Sequence, residues 1–310
     1  MRIAVMGAGG VGGYFGARLA HAGHDVAFVA RGAHLAAMRE RGLTVRSAHG
    51  DVHLPQPTVT DDPSTLGWFD AVLFAVKLWD TETAAAAIKP LLAAGGVVIP
   101  FQNGVESIER IGAVVGREQV MGGVAYIAAR IAEPGVIVHT GTMARLLFGA
   151  VLPSQQDAAR ELLAVCKAAG IDADVADDIQ TALWIKFGFL VALSGMTAAT
   201  RQPIGVIRAD VDLRATFEAA IREVWELARA RGIVLPDDFV AQQMRFGDGL
   251  PAEMRASMLN DLEAGNRLEA PWLSGAVARM AREAGRAAPV NATLYAAVKP
   301  YCLGRPRPVT

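Results

Sequence analysis

Short apolar runs rich in strand formers alternate with alanine-rich segments of helical period through the first 176 residues. Residues 2–6 read as a strand, 11–22 as a helix closed by Gly23, 25–30 as a second strand, and 32–41 as a second helix. Residues 43–59 alternate apolar and polar positions about Gly50-Asp51, which predicts an inserted hairpin. A strand, a helix and a strand follow over 70–76, 81–94 and 96–101, and Glu106 and Ser107 open another helix. Residues 120–138, broken by Glu133-Pro134-Gly135, predict an antiparallel hairpin. A further strand over 145–149, a helix over 155–169 ended by Gly170, and an edge strand over 172–176 complete this half.

From Asp177 onward the strand-like runs stop and helical periodicity takes over. Breaks at Gln202-Pro203, Gly232, Leu235-Pro236, Gly249-Leu250-Pro251, Ala270-Pro271 and Ala288-Pro289 divide it into six or seven helices. The pattern predicts an α/β protein with an N-terminal Rossmann-type parallel-sheet domain over residues 1–176 and a C-terminal all-helical domain over 177–310. Residues 304–310, with Arg-Pro-Arg-Pro, read as a loose tail.

The first strand runs into Gly7-Ala8-Gly9-Gly10-Val11-Gly12, a G-x-G-x-x-G between strand and helix, which is the context that gives the motif meaning. Gly7 serves a tight turn, Gly9 lets backbone approach a pyrophosphate, and Gly12 lets the helix pack on the strand. The positive end of that helix then faces an anion. The second strand ends in Ala30-Arg31 rather than in the acid that would accept from ribose hydroxyls. A cation just before a helix is unfavourable by itself, and a 2′-phosphate would remove the conflict, so Arg31 reads as a selector for NADP (NADPH) over the alternative of a solvated arginine. Lys77 and Asn103 top strands at the ligand crevice, although an Asn-Gly pair is also an ordinary turn.

Lys186 lies within the apolar run Trp184-Ile185-Lys186-Phe187-Gly188-Phe189. Such a lysine either snorkels to water or uses partial desolvation to lower its pKa and donate a proton. Composition narrows the field. Net charge is −1 without a basic tract, which argues against nucleic acid. Two distant cysteines exclude a disulfide framework and suit a reducing cytoplasm. No apolar run approaches the ~18 residues that a membrane span requires, so the expected protein is cytoplasmic and does not engage membrane. His49 and His53 flank Asp51 without further ligands, so no metal is expected.

Together these segments resemble the ketopantoate reductase (2-dehydropantoate 2-reductase) family across essentially the whole chain. The resemblance is carried by the glycine motif, Arg31, Val76-Lys77, Gln102-Asn103-Gly104-Val105, Trp184-x-Lys186, Ser257-Met258-Leu259-x-Asp261, Glu269 and Pro289-Val290-Asn291. It implies NADPH-dependent reduction of 2-dehydropantoate, a small 2-oxo acid, to pantoate on the route to coenzyme A. Lys186 and Glu269 would be catalytic, with Lys186 the proton donor. Asn103, Ser194 and Ser257 would hold substrate, and Gly7, Ala8, Gly9, Gly10, Val11, Gly12, Arg31, Lys77, Asn103 and Glu269 the cofactor. The family helix commonly carries asparagines four and eight residues after the lysine, where this chain has Leu190 and Ser194, and a third is replaced by Ile204. These departures admit a relative that reduces another 2-oxo acid, with Arg201 as a carboxylate contact, or a non-catalytic NADPH sensor. The helical domain would suit a homodimer.

Overall fold

Strand β1 (Ile3–Met6) is buried at every residue, as a strand covered on both faces must be. It is the centre of a five-stranded parallel sheet with the order β5-β2-β1-β6-β7. Its neighbours are β2 (Val26–Val29), β5 (Thr58–Thr60), β6 (Phe69–Phe74) and β7 (Leu92–Pro100). Helices α1 (Gly10–His21), α2 (Gly32–Arg41), α3 (Thr81–Ile88) and α4 (Ser107–Val115) follow β1, β2, β6 and β7, which is the α/β alternation read from the sequence. This computed structural model describes residues 1–305, so residues 306–310 of the expected tail lie outside it. The chain divides into two units, Met1–Gln180 and a second beginning at Thr181.

A second sheet in the first unit has the order β10-β9-β3-β4, with β8 paired to β9. Strands β3 (Leu43–Arg46) and β4 (Val52–Leu54) form the expected hairpin, but β5 leaves it for the parallel sheet. Strands β8 (Gly122–Glu133) and β9 (Val136–Gly149) are antiparallel about Pro134-Gly135. The separate strand expected over 145–149 is the second half of β9, which is continuous for 14 residues. The first half of β9 pairs in parallel with β3, and the second half with β10 (Asp172–Val175). Helix α5 (Gln156–Ala168) connects β9 to β10. The helix expected over 81–94 ends at Ile88, because Pro90 breaks it and Leu92 already starts β7.

The second unit is helical among its described residues. Helix α6 (Ile179–Thr200) begins at the boundary and continues through 22 residues. It is followed by α7 (Ile204–Ala209), α8 (Val211–Ala230), α9 (Phe239–Asp248), α10 (Ser257–Ala264), α11 (Ser274–Glu283) and α12 (Pro289–Val298). By length and composition α6 could cross a membrane, contrary to the expectation that no run would, but 72% of its apolar window is buried inside the protein. A helix apolar on every side belongs in a core. Gly188 and Gly195 bring it close to its neighbours. A Cβ at Gly188 would stand 2.6 Å from Phe239 Cζ, and one at Gly195 2.9 Å from Ser274 Oγ and 3.0 Å from Leu294 Cδ1.

Glu223 on α8 secures the start of α12. Its carboxylate accepts from the backbone N–H groups of Val290 at 2.7 Å and Asn291 at 2.9 Å, and from Asn291 Nδ2 at 2.7 Å. Asn291 is fully buried and also donates to the Ala220 carbonyl at 3.1 Å. An acid supplied by one helix thus meets the positive end of another. Glu223→Ala would leave these donors without their acceptor and is expected to cost about 2–3 kcal/mol. Denaturant unfolding of the full chain measures this, and a change below about 0.5 kcal/mol would make the contact incidental.

Candidate active site

The carboxyl ends of the parallel strands gather the first group of expected residues. Gly7 ends β1 at φ +98°, and a Cβ there would lie 2.9 Å from the Val76 nitrogen. The glycine turn therefore lies directly against the segment that leads into Lys77. Gly12 sits on α1 where a Cβ would approach the Gly7 carbonyl oxygen to 2.3 Å and Val5 Cγ1 to 2.8 Å, so helix and strand are in backbone contact. Gly10 has a further reason to be glycine, since its Cβ would strike the Ala129 carbonyl of β8 at 2.2 Å. By contrast, a Cβ at Gly9 would meet nothing within 4 Å.

The first bond of α1 runs from Gly13 N–H to the Gly9 carbonyl at 2.7 Å, which leaves the preceding N–H groups outside the helical ladder. No acid occupies the first turn of α1. Open space beside Gly9, backbone donors and a positive helix end together fit the pyrophosphate of a dinucleotide. Ala8 is buried and Val11 half-buried beside them. Arg31 caps α2 through its backbone at the end of β2, and its Nη2 donates to Asp80 Oδ2 at 2.7 Å.

Lys77 is exposed, its Nζ 5.8 Å from the centre of the Trp79 ring, and it opens the short turn Leu78–Asp80. Gln102 braces this turn although the sequence gives it no role beyond its motif. Its buried Nε2 donates to the Val76 carbonyl and to Thr81 Oγ1, both at 2.9 Å. Arg110 adds a bond to the Leu78 carbonyl at 2.9 Å and a two-pronged contact with Glu82 at 2.6 and 2.8 Å. The guanidinium holds the Glu82 carboxyl below the usual carboxylate range. Asn103, half-buried, follows Gln102 in the loop after β7. The glycine turn, Lys77 and Asn103 thus converge, and Arg31 tops the adjacent strand.

The second group lies in the helical unit. Lys186 is half-covered by surface area within α6, yet burial is the main influence on its ammonium. Burial lowers its pKa from the ordinary lysine value to about 8, while the charge of Glu269 raises it. Glu269 is itself buried, just before a short turn over Ala270–Trp272, and its carbonyl accepts from Trp272 N–H at 2.9 Å. Ser194 lies eight residues beyond Lys186 on the same helix and is 1% exposed. Ser257 is the exposed first residue of α10.

Leu190 is half-buried between Lys186 and Ser194. Ile204 is buried, and its Cδ1 would lie 3.7 Å from a Cβ at Gly247, so it serves the packing of α7 on α9. Arg201 follows α6 at φ +57°, the one left-handed non-glycine among the described residues, with its guanidinium 5.8 Å from the Tyr301 ring centre.

Among the described residues no cluster of three or more His, Cys, Asp or Glu side chains is placed to hold a metal. His53 Nδ1 meets Thr44 Oγ1 at 3.0 Å, and His49 Nε2 meets the Thr142 carbonyl at 2.7 Å.

The profile of the family described as ketopantoate reductase PanE/ApbA matches residues 3–153, and that of its C-terminal part matches residues 178–301. The chain is 31% identical to the uncharacterized oxidoreductase YkpB of Bacillus subtilis (strain 168), over 97% of this chain and 99% of that protein. It is 31% identical to the 2-dehydropantoate 2-reductase of Archaeoglobus fulgidus over 96% of this chain and 97% of that one. The crystal structure of 2-dehydropantoate 2-reductase from Geobacter metallireducens superposes with a TM-score of 0.90 at 31% identity, covering 96% of this chain and 99% of the other.

Proposed function

We propose that this chain, which belongs to the ketopantoate reductase family and is an oxidoreductase of the 2-dehydropantoate 2-reductase type, reduces 2-dehydropantoate to pantoate with NADPH. That reaction is a step toward pantothenate and coenzyme A. The observation that carries the reading is a lysine held in an apolar helix with its pKa drawn down to about 8 and the Glu269 carboxylate opposing the shift.

The dinucleotide, when bound, supplies the hydride that reaches C2 of the oxo acid. Lys186 keeps a proton on Nζ, hydrogen-bonds the ketone oxygen, and releases that proton as negative charge develops there. A lysine with a pKa near neutrality donates more readily than an ordinary one, and the Glu269 charge keeps it protonated against burial. Gly9, Gly10, Val11 and Gly12 offer the pyrophosphate backbone donors, Gly7 and Ala8 shape the turn with their own N–H groups donated to the Val29 carbonyl at 3.2 and 3.0 Å, and Arg31 and Lys77 are assigned to the 2′-phosphate. Asn103, Ser194 and Ser257 take the roles of holding substrate polar groups, and Asn103 and Glu269 also serve the cofactor. The two free cysteines suit a reducing cytoplasm.

Leu190 favours one alternative, a more apolar 2-oxo acid, because leucine cannot hydrogen-bond a carboxylate or hydroxyl. NADPH oxidation, with NADH as the control, measured across a panel of 2-oxo acids decides between them. Ketopantoate is expected to give the highest kcat/KM. A better apolar substrate would transfer the assignment, and tight NADPH binding without turnover on any panel member would overturn the reductase reading.

A further inference from the structure

We infer that Asp80 sets the balance between NADPH and NADH by competing with the 2′-phosphate for Arg31. This rests on the reading of Arg31 as the residue that meets that phosphate. Asp80 stands at the N-cap of α3, where an aspartate ordinarily accepts from the first N–H groups of its own helix. Its side chain makes no such bond and instead takes the Arg31 guanidinium at 2.7 Å.

The two partners differ in freedom. The Arg31 side chain is 75% exposed and that of Asp80 28%. The backbone around Asp80 is also held. Thr81 Oγ1 donates to the Leu78 carbonyl at 2.8 Å, and Gln102 and Arg110 bond to the same turn. The acid is therefore the fixed member of the pair and the guanidinium the mobile one. The first turn of α2 carries no acid, so the positive charge that Arg31 brings to that helix start is met by its bond to Asp80.

A 2′-phosphate approaching Arg31 must displace this carboxylate or share the guanidinium with it, and in both cases two anions stand close together. A plain ribose 2′-hydroxyl meets no repulsion, and it can donate to a carboxylate. Asp80 thus penalises the phosphorylated cofactor and tolerates the unphosphorylated one, which narrows the preference for NADPH that Arg31 confers.

The test is binding of 2′,5′-ADP and 5′-AMP to the full chain by calorimetric titration, for the wild type, Asp80→Asn, Arg31→Ala and the double variant. Asp80→Asn should tighten 2′,5′-ADP by about tenfold, with no comparable gain for 5′-AMP. That gain should vanish when Arg31 is alanine, and the NADPH-to-NADH ratio of kcat/KM should rise in Asp80→Asn alone. If Arg31→Ala lowers the preference for 2′,5′-ADP but Asp80→Asn leaves it unchanged, the role of Asp80 is refuted and that of Arg31 stands. If Arg31→Ala leaves the preference unchanged, both fail.

Discussion

Replacing Lys186 with alanine is expected to lower kcat/KM for the oxo acid by roughly 10²- to 10⁴-fold while NADPH still binds, because a positioned proton donor contributes about that much. The same residue fixes the pH profile. Burial favours the neutral amine and brings the pKa to about 8, so the donor is protonated below that value. Activity of the free enzyme should be flat on the acid side and fall as pH rises through about 8. Glu269→Gln removes the charge that raises this pKa, so the falling limb should move to lower pH. Rates in Lys186→Ala equal to those of the wild type would take the lysine out of the chemistry. Abolished turnover with intact NADPH binding would eliminate a non-catalytic sensor.

Gly12→Ala should be strongly damaging to the nucleotide-binding half. The added Cβ would stand 2.3 Å from the Gly7 carbonyl oxygen and 2.8 Å from Val5 Cγ1. The first obstacle is backbone of the glycine turn itself and cannot rotate aside. Helix α1 must therefore lift from β1, which we expect to cost about 3 kcal/mol and to abolish measurable NADPH binding. Thermal unfolding and a cofactor titration read the two effects separately. Gly9→Ala is the control for stability, since its Cβ enters open space, and only its nucleotide affinity should fall. Equal unfolding temperatures for Gly12→Ala and the wild type would refute the packing argument.

The α/β half was legible because its strands and helices differ in period and because the glycine motif lies between the first two of them. The parallel sheet and the all-helical second unit follow from that reading. The continuity of β9 was not legible. Its middle, His139-Thr140-Gly141-Thr142, has the composition of a loop, and of these four only His139 has a strand partner, Ala129, before the register with β8 shifts and resumes at Ile127 and Ala144. The proposed proton donor Lys186 was visible as a charge in an apolar helix, but the charge that opposes its burial belongs to Glu269, 83 residues further on. Glu223 and Asp80 look like ordinary helix-surface acids, and their partners lie 67 and 49 positions away. Local pattern reports period and turn chemistry. It does not report which distant group an acid will meet.

The double allegiance of β9 bears on how the first unit can be made. Its Arg145–Phe148 stretch has β8 along one edge and β10 along the other. A ribosome that has released only the first 150 residues has supplied β8 and β3 but not the last partner. Until residue 175 emerges, that stretch presents an open edge with Leu146 and Phe148 on it, ready to pair with another chain. A fragment cut after residue 153 would keep that edge permanently, so excision of the nucleotide-binding half should extend through β10 to remain monomeric.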